Sequence, residues 1–389
     1  MKKIVFAADF APIRKFSQLL KDDPAAVYGE MREVLGRADY AIVNLESPLH
    51  CPDGFIAKSG AAFSGEIDHI KALTAGNFRA AVLANNHTFD CGTAGFEKTR
   101  QLLLSNGIQP VGAGKDLAEA RRPLSFEIDG IKAALFTISE GEDMMGAKEN
   151  SPGVRPWEVE KVAGDIREAC KNFDIILVSA HCGLEYQPYP SFYVYEAFEK
   201  FAAAGADMII GHHPHVPQGM TYFGKTPAYF SLGNFIFYQP VKLLHRKTGY
   251  LLEMEISKAG ITSHRPVPYR ITDKGVRKLN AAENRDFQEL FGKLSAPLAD
   301  KESAEKAWHA VLAYNGIAGF EDELQRILKT MQENPVKGAA MLRNRVCCIQ
   351  HASQWTDGMS RIMDGTIGEA PAEMIAMVRE FMTRETEDL

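Results

Sequence analysis

The chain has 389 residues and a formal net charge of −6; 46% of its residues are hydrophobic and 24% are charged. This balance is that of a globular protein with a sizeable core, and the length allows about two domains. The modest negative charge gives no reason to expect nucleic acid as a partner, and no basic run indicates binding to an anionic membrane surface.

The amino terminus, MKKIVFAADF, has the pattern of a buried first strand rather than a signal peptide. Asp9 interrupts the apolar run before it reaches the roughly 7–15 residues of a signal sequence. No apolar run approaches the roughly 18–20 residues of a membrane helix, so we expect no transmembrane anchor in this chain. The cysteines show no CxxC spacing, which predicts reduced thiols and a cytoplasmic location; they are Cys51, Cys91, Cys170, Cys182, Cys347 and Cys348.

Short apolar, β-branched runs predict buried strands at residues 3–8, 40–44, 79–83, 174–179 and 207–210. Between them, TAGFEKTRQLLLSNG predicts a helix that ends at Gly107. SFYVYEAFEKFAAAG predicts a second helix, with Ser191 as N-cap and Gly205 at its end. This alternation indicates an α/β domain. Further strands are predicted at 124–128, 131–137, 226–232, 250–256 and 261–270, with a hairpin at IDGIK.

From about residue 280 the pattern becomes helical. GFEDELQRILKTMQ places one apolar face on a predicted helix, made of Phe320, Leu324, Ile327, Leu328 and Met331. We therefore predict a domain over residues 1–275 and an all-helical C-terminal extension over 276–389. Four polar or aromatic residues of the extension could form a lid or substrate wall, but a solvated helix face is the favoured interpretation; they are Arg343, Arg345, His351 and Trp355.

A side chain that can bind a metal follows each of the five core strands. They are Asp9 after the first, Asn44 and Glu46 after the second, Asn86, His87 and Asp90 after the third, His181 and Glu185 after the fourth, and His212, His213 and His215 after the fifth. Because open α/β sheets bind ligands at the carboxyl ends of their strands, we expect these side chains to converge. Each residue taken singly has an ordinary structural explanation, such as a turn or a helix cap; the recurrence favours a metal site.

The ligand types indicate the metal and its chemistry. Imidazole, carboxylate and amide oxygen suit Mn²⁺, Fe²⁺ or Zn²⁺. Two such divalent metal ions about 4 Å apart can hold a phosphate and activate a water molecule. A carboxylate must bridge ions that lie so close, and Glu46 is the best candidate.

The order of the motifs NLESP, NNHTFDCGTAGF, VGAGKDLAEARRP, HCGLEY, GHHPHVPQG and YFSLGNFIF resembles the CapA-type capsule or poly-γ-glutamate synthesis proteins. That family belongs to the calcineurin-like metallophosphoesterase superfamily. The resemblance covers residues 3–270 and implies a four-layer α/β/β/α sandwich with a dinuclear metal centre at the strand ends.

The resemblance also implies a role for each motif residue. Asp9 and His215 would hold one metal ion, Asn86, His181 and His213 the other, and Glu46 would bridge them. His87 would be the catalytic residue that protonates the leaving oxygen, with Asp90 orienting it. Five further residues would line the site: Asn44, Glu185, Tyr186, His212 and Asn234.

Two departures from the superfamily pattern bear on the site. Ala11 stands where the superfamily has a histidine, so the first metal could be held weakly or completed by a neighbour such as Asn44. Cys182 stands where a tryptophan is common; it could be a soft ligand, but a small hydrophobic residue is the favoured interpretation.

Three functions remain open on the sequence. The first is a metal-dependent phosphoesterase, which the ligand set with His87 favours. The second is a non-hydrolytic accessory protein of poly-γ-glutamate or capsule polysaccharide assembly, and the third is a metal-dependent γ-glutamyl amide hydrolase or ligase. In each case we expect a small-molecule or polymer partner that carries phosphate or γ-glutamyl groups.

Overall fold

A computed structural model describes residues 1–387, which fold into two large sheets, a short two-stranded sheet and twelve α-helices. The strands are β1 (Lys2–Phe10), β2 (Tyr40–Leu45), β3 (Phe78–Val82), β4 (Gln109–Val111), β5 (Ala113–Gly114), β6 (Leu124–Ile128), β7 (Ile131–Ser139), β8 (Gly153–Val154), β9 (Ile175–His181), β10 (Met208–His212), β11 (Met220–Phe223), β12 (Thr226–Tyr229), β13 (Thr248–Ser257), β14 (Gly260–Thr272) and β15 (Gly275–Lys278).

The helices divide into seven that alternate with the strands and five that follow them. The first seven are α1 (Lys15–Asp22), α2 (Met31–Gly36), α3 (Ile70–Ala75), α4 (Gly92–Ser105), α5 (Leu117–Arg121), α6 (Val159–Ala169) and α7 (Phe192–Ala204). The last five are α8 (Ala281–Ser295), α9 (Lys301–Glu333), α10 (Pro335–Cys347), α11 (Ile349–Met363) and α12 (Ala372–Thr383).

Both large sheets are mixed, with a parallel part that carries the site. The first has the order β15-β14-β13-β1-β2-β3-β4, in which β1 to β4 are parallel and β13 to β15 antiparallel. The second has the order β11-β12-β10-β9-β7-β6, with antiparallel strands only at its two edges. The carboxyl ends of β1, β2, β3, β9 and β10 are therefore available to build one site.

Alternating side chains of the second sheet show how the layers stack. On β7, Ala133 and Leu135 join the core shared with the first sheet, whereas Ala134 and Phe136 pack with residues of α6 and α7. Residues of α1 to α4 pack with the first sheet in the same shared core. This is the two-residue period of a strand buried on both faces. The predicted α/β/β/α sandwich with a helical C-terminal region is confirmed.

The sequence placed the strands and helices closely. Asp129 and Gly130 both have positive φ in the predicted hairpin between β6 and β7, as two-residue hairpin turns require. Gly107 and Gly205 follow α4 and α7 with φ of 74° and 109°, as predicted. Ser191 occupies the N-cap position of α7, but its side chain makes no capping hydrogen bond.

The apolar face predicted for the extension is only partly buried. Phe320 and Ile327 are buried, but Leu324 and Leu328 are exposed, so the face is narrower than its periodicity indicates. Helix α9 is also interrupted at Gly316, where φ is 59°. The domain boundary at residue 275 remains a prediction; β15 still pairs with β14 beyond that residue.

The prediction of reduced thiols is wrong for two of the cysteines. Cys51 and Cys91 form a disulfide, which with hydrogen bonds to Asp90 ties loop 50–65 to the segment after β3. Cytoplasmic proteins rarely keep disulfides, so the cytoplasmic location, which rested on reduced thiols, remains a prediction with less support. Cys182 is buried in the apolar core of the second sheet, as the small-hydrophobe interpretation expects. In the described part of the chain, no helix is both long and apolar enough to span a membrane.

Candidate metal centre

Glu46 is shared by two clusters of buried metal-binding side chains. One cluster consists of Asp9, Glu46 and His215, and the other of Glu46, His181 and His213. Within each cluster the ligand atoms lie within 4.8 Å of one another. The structure thus brings together donors from the ends of β1, β2, β9 and β10, with one carboxylate positioned to serve both clusters.

Strand geometry aims these side chains at a common point. The pairing of β1 with β2 shifts register between Ala7 and Asp9, and such bulges re-aim side chains near functional sites. Glu46 directly follows the last residue of β2. His181 and His212 end β9 and β10 and are paired in register, so the chain after β10 enters the site beside His181.

The backbone of the GHHPH motif adopts an uncommon conformation. His213 and His215, on either side of Pro214, have φ of 98° and 58°. This left-handed region costs a non-glycine residue roughly 1–2 kcal/mol. Residues in such strained conformations cluster at functional sites, where the surrounding structure keeps them in place. In this conformation both imidazoles are buried at the site, which accounts for the concentration of histidines in this loop.

Hydrogen bonds fix the orientation of the first cluster. Asn44 Nδ2 donates to Asp9 Oδ1 at 2.8 Å, and His212 Nδ1 lies 3.0 Å from the same oxygen. His215 Nδ1 lies 2.9 Å from Asn234 Oδ1 and 3.1 Å from Asp9 Oδ2. Its other ring nitrogen therefore faces the shared carboxylate, 3.5 Å away. Asn44, His212 and Asn234 thus fix the orientation of Asp9 and His215, as residues around metal-binding side chains commonly do.

The charges of the site depend on burial and on each other. Burial raises the pKa of Glu46 well above its usual value. Burial opposes the charged form of Asp9 as well, but hydrogen bonds from His212 and His215 hold its pKa well below the usual value. Although burial opposes the imidazolium, Glu46 and Asp9 raise the pKa of His215 to about 10. Burial lowers the pKa of His181 and of His213, which keeps both imidazoles neutral.

Several buried polar atoms at the centre have no hydrogen-bond partner among the described residues. Both carboxylate oxygens of Glu46 and both ring nitrogens of His213 are buried and, within residues 1–387, have no hydrogen-bond partner. Roughly 90% or more of buried polar groups in native proteins are paired. The donor set of carboxylate, imidazole and amide oxygen suits Mn²⁺, Fe²⁺ or Zn²⁺. These residues fit a pair of divalent cations.

His87 lies at the edge of this centre in a fixed orientation. Its Nδ1 is 2.7 Å from Asp90 Oδ2, its Nε2 is 4.0 Å from Glu46 Oε1, and its ring stacks on Phe63 at 3.9 Å between centroids. Lys58 Nζ donates to Asp90 Oδ1 at 2.8 Å. Burial and Lys58 lower the pKa of His87, against the effect of Asp90. The arrangement leaves Nε2 as the nitrogen that faces the cluster.

Asn86 presents its amide oxygen to the second cluster. Its Oδ1 lies 3.0 Å from His181 Nε2, while its Nδ2 donates to Glu142 Oε2 at 2.7 Å. Glu142 is buried, and although burial opposes its charge, His351 and His213 hold its pKa well below the usual value. The amide is therefore held with its oxygen towards the cluster.

The surroundings of Ala11 differ from the sequence expectation. Asn44 was a candidate to complete the first cluster, but its Nδ2 donates to Asp9 and its Oδ1 accepts from Asn85 Nδ2 at 3.2 Å. Ala11 instead packs with Phe237 in a small apolar cluster. Glu185 has a carboxylate oxygen 3.7 Å from His215 Nε2, which makes it a better candidate than Asn44 to complete the first cluster.

The clusters open into a cavity of about 390 Å³. Asn86, His87 and His215 contribute to its floor, and Glu185 and Tyr186 to its wall. Four arginines also line it: Arg14, Arg246, Arg326 and Arg345. Arg14 donates to the Tyr238 carbonyl at 3.1 Å, and the Arg246 guanidinium lies 3.7 Å from the centroid of the Tyr186 ring.

The solvated-face interpretation of the extension is wrong for three of its four residues. Arg345 and His351 line the cavity, and Trp355 packs edge-on against Phe320. Arg343 alone is largely exposed, and it lies 3.4 Å from Asp143. The reason is that the core of the extension packs on the loops after β9 and β10, where it includes Leu184 and Val216. Helices α10 and α11 are thereby held over the site.

Three important side chains were not found by sequence reasoning. Lys58 and Phe63 lie in loop 50–65, which carries no motif, and Glu142 follows β7 at a distance from the other motifs. A signal existed only for Glu142, which lies three residues after the end of β7, as polar side chains also follow the other site-bearing strands.

The fold and the buried clusters define this protein as a four-layer α/β/β/α sandwich with a candidate metal centre at its strand ends. A family model described as "Bacterial capsule synthesis protein PGA_cap" matches residues 3–239, which is more than half of the chain. The chain therefore belongs to the PGA_cap family, and the resemblance to the CapA-type proteins stated from its motifs is confirmed.

Two curated relatives carry capsule-related names. The chain is 32% identical over 218 residues to "PGA biosynthesis protein CapA" of Bacillus subtilis, covering 55% of this chain and 57% of that protein. It is 26% identical over 277 residues to "Capsule biosynthesis protein CapA" of Bacillus anthracis, covering 68% and 66%. The matched region thus spans less than two thirds of the length of each of these relatives.

Solved structures with a similar arrangement are more distant. A hypothetical protein from Thermus thermophilus has a TM-score of 0.46 and 13% identity, covering 69% of this chain and 99% of that one. A 5'-nucleotidase precursor from the same organism has a TM-score of 0.42 and 12% identity, covering 75% and 58%.

Proposed function

We propose that the chain is a metal-dependent hydrolase, a phosphoesterase with a dinuclear metal centre. The observation that supports this is the position of Glu46, a fully buried carboxylate shared by two clusters and left without a hydrogen-bond partner in the described residues. A carboxylate in that position could bind two cations at once, one on either side of it. Most buried carboxylates accept hydrogen bonds, whereas in the described part of the chain Glu46 has only the ring nitrogens of His181 and His215 beside it, at 3.5 Å.

The ligands in this proposal are those of the two clusters. Asp9 and His215 would hold one cation, His181, His213 and the Asn86 oxygen would hold the other, and Glu46 would serve both. Two divalent cations would supply charge to polarise a phosphate ester and would lower the pKa of a water molecule. Asn44, His212 and Asn234 keep the ligands oriented through the hydrogen bonds described above.

His87 is the proposed proton donor to the leaving oxygen. Asp90 accepts a hydrogen bond from Nδ1, so Nε2 faces the cluster and the cavity. His87 would donate from Nε2 in its imidazolium form, which Asp90 favours. Stacking against Phe63 limits rotation of the ring. This is the geometry that general acid catalysis requires, with the donor held at the site and its other nitrogen engaged.

The cavity suits an anionic substrate. Arg14 and Arg246 stand on its wall, where they can bind a phosphate or a carboxylate. The names of the relatives place them in capsule and PGA biosynthesis, and we propose the same process for this chain. The substrate is then a small molecule or polymer that carries phosphate or γ-glutamyl groups.

A non-hydrolytic accessory role is the second candidate. It is supported by the apolar packing of Ala11, which leaves the first cluster one histidine short of the superfamily pattern. A metal-dependent γ-glutamyl amide hydrolase or ligase is a third, because a dinuclear centre can polarise a carbonyl as well as a phosphate.

The test is hydrolysis of a generic phosphomonoester and a generic phosphodiester by metal-stripped protein, with and without Mn²⁺. The His87→Ala variant is measured beside the unaltered chain, with metal content determined for both. We expect turnover that depends on Mn²⁺ and falls by roughly 10²–10⁴-fold in the variant, the contribution of general acid catalysis.

The outcomes separate the candidates. Turnover that falls in His87→Ala while two metal ions remain bound supports the phosphoesterase and the role of His87. Two bound ions without turnover of either ester rejects generic phosphoesterase activity, and γ-glutamyl peptides are then the substrates to test. A chain that binds no metal rejects the dinuclear centre altogether.

A further inference from the structure

Glu142 connects the candidate metal centre to the helical extension. On one side its Oε2 accepts from Asn86 Nδ2 at 2.7 Å. On the other side its Oε1 accepts from Gln350 Nε2 at 2.7 Å and from Asn344 Nδ2 at 3.3 Å. His351 Nε2 lies 3.4 Å from the same oxygen. One carboxylate thus joins a candidate ligand to three residues of α10 and α11.

The hydrogen bond from Asn86 determines which end of its amide faces the metal. With Nδ2 bound to Glu142, Oδ1 is directed to the side of His181, 3.0 Å from Nε2. Rotating the amide by 180° would bring its oxygen against a carboxylate and its NH₂ group towards the cations. Both contacts would be repulsive, so Glu142 selects the ligating orientation.

The segment that carries Glu142 is held by further contacts with the extension. Asp143 and Met144 have φ of 54° and 66°, a conformation that L-residues avoid unless other contacts impose it. The Asp143 amide donates to Asn344 Oδ1 at 3.1 Å, and the Asp143 carboxylate accepts from the amide and hydroxyl of Ser59 at 2.8–2.9 Å. Helix α10 therefore holds this turn and, through it, the loop that carries Lys58.

We propose that Glu142 is a positioning residue for the metal ligand Asn86, and that Gln350 and Asn344 of the extension hold Glu142 in place. The inference rests on the dinuclear centre of the proposed function. Because the PGA_cap model matches only residues 3–239, the supporting residues Asn344 and Gln350 lie outside the part of the chain that defines the family. The extension is then part of the metal centre rather than an appended domain.

The test is the binding of Mn²⁺ to the metal-free full-length chain, followed by isothermal titration calorimetry. Glu142→Ala should weaken one of the two binding steps by roughly 10–100-fold, as the loss of a residue that orients a ligand commonly does. Gln350→Ala should weaken the same step less. Adding Gln350→Ala to Glu142→Ala should cause no further loss of affinity, because Gln350 acts through Glu142.

Two variants separate positioning from general damage to the fold. Glu142→Gln keeps the size of the side chain but has one oxygen instead of two, so we expect a smaller loss at the same binding step. Gln354→Ala changes a glutamine one helical turn from Gln350 that also lines the cavity, and it should bind Mn²⁺ as the unaltered chain does. Thermal unfolding of each metal-free variant checks that it is folded.

Unaltered Mn²⁺ affinity in folded Glu142→Ala, or additive losses in the double variant, would overturn the inference while leaving the two-metal proposal intact. Absence of Mn²⁺ binding by the unaltered chain would overturn both. A loss at one binding step that is shared by Glu142→Ala and Gln350→Ala, and that is not additive, supports the inference.

Discussion

Replacing Lys58 by methionine should destabilise the fold strongly, although the lysine is not part of any sequence motif. Lys58 Nζ and Asp90 Oδ1 lie 2.8 Å apart, and their side chains are only 2% and 0% exposed. Removing one partner of such a pair leaves an uncompensated buried charge, which costs about 3–5 kcal/mol. Asp90 keeps two other donors, the His87 ring and the Phe63 amide. We therefore expect Lys58→Met to lower the free energy of unfolding by about 3 kcal/mol, the lower end of that range.

The assay is urea unfolding at pH 7, with two variants for comparison. Lys15→Met removes the same side chain from an exposed pair with Asp273, at 2.7 Å and 49% exposure of the lysine, and should change the free energy of unfolding far less than Lys58→Met does. Adding Asp90→Asn to Lys58→Met removes the uncompensated charge and should recover part of the loss. If Lys58→Met unfolds within about 0.5 kcal/mol of the unaltered chain, the range of an ordinary surface substitution, the buried pair does not stabilise the loop as argued.

Two further predictions concern stability. Because the Cys51–Cys91 disulfide closes a separation of 40 residues, replacing both cysteines by serine should lower the free energy of unfolding by about 4 kcal/mol; dithiothreitol should reproduce this loss in urea unfolding, and no effect of either would contradict it. Bidentate hydrogen bonds from Arg277 lower the pKa of Glu283 to about 2. Because the folded pKa is below the unfolded value, its contribution of about 1–2 kcal/mol is present above pH 4.5 and lost towards pH 2. Unfolding of Glu283→Gln should therefore be less sensitive to pH in this window, and an unchanged pH dependence would refute the assignment.

Much of the fold follows from local sequence. The strands around the site are short apolar runs that end in a polar residue, and the glycines after α4 and α7 mark helix ends because only glycine readily adopts the φ found there. The extension shows where this reasoning fails. Its periodicity identifies helices, but which face is buried depends on the loops after β9 and β10 that it packs on, and no local pattern encodes that contact.

The residues of the site also fall into two groups, those that local sequence predicts and those that it does not. Residues directly after strands could be predicted, because strand direction brings them to one edge. Lys58 and Phe63 reach His87 and Asp90 only because a disulfide and several hydrogen bonds fold loop 50–65 over them. Such contacts join residues about 30 positions apart without periodicity or motif, so a single sequence gives no sign of them.

The surroundings of Ala11 change what the missing histidine implies for hydrolysis. In the proposed centre, one cation has His181, His213 and the Asn86 oxygen in addition to Glu46, whereas the other has Asp9, His215 and Glu46. The second of these sets has fewer donors and lies on the side where Glu185 and the cavity are. An ion with an open coordination position towards a cavity is what a catalytic site requires, whereas a structural site is closed. Ala11 therefore weighs less against hydrolysis than the missing histidine alone would indicate, because a cation held by Asp9, His215 and Glu46 would have fewer protein donors and would leave room for a substrate oxygen.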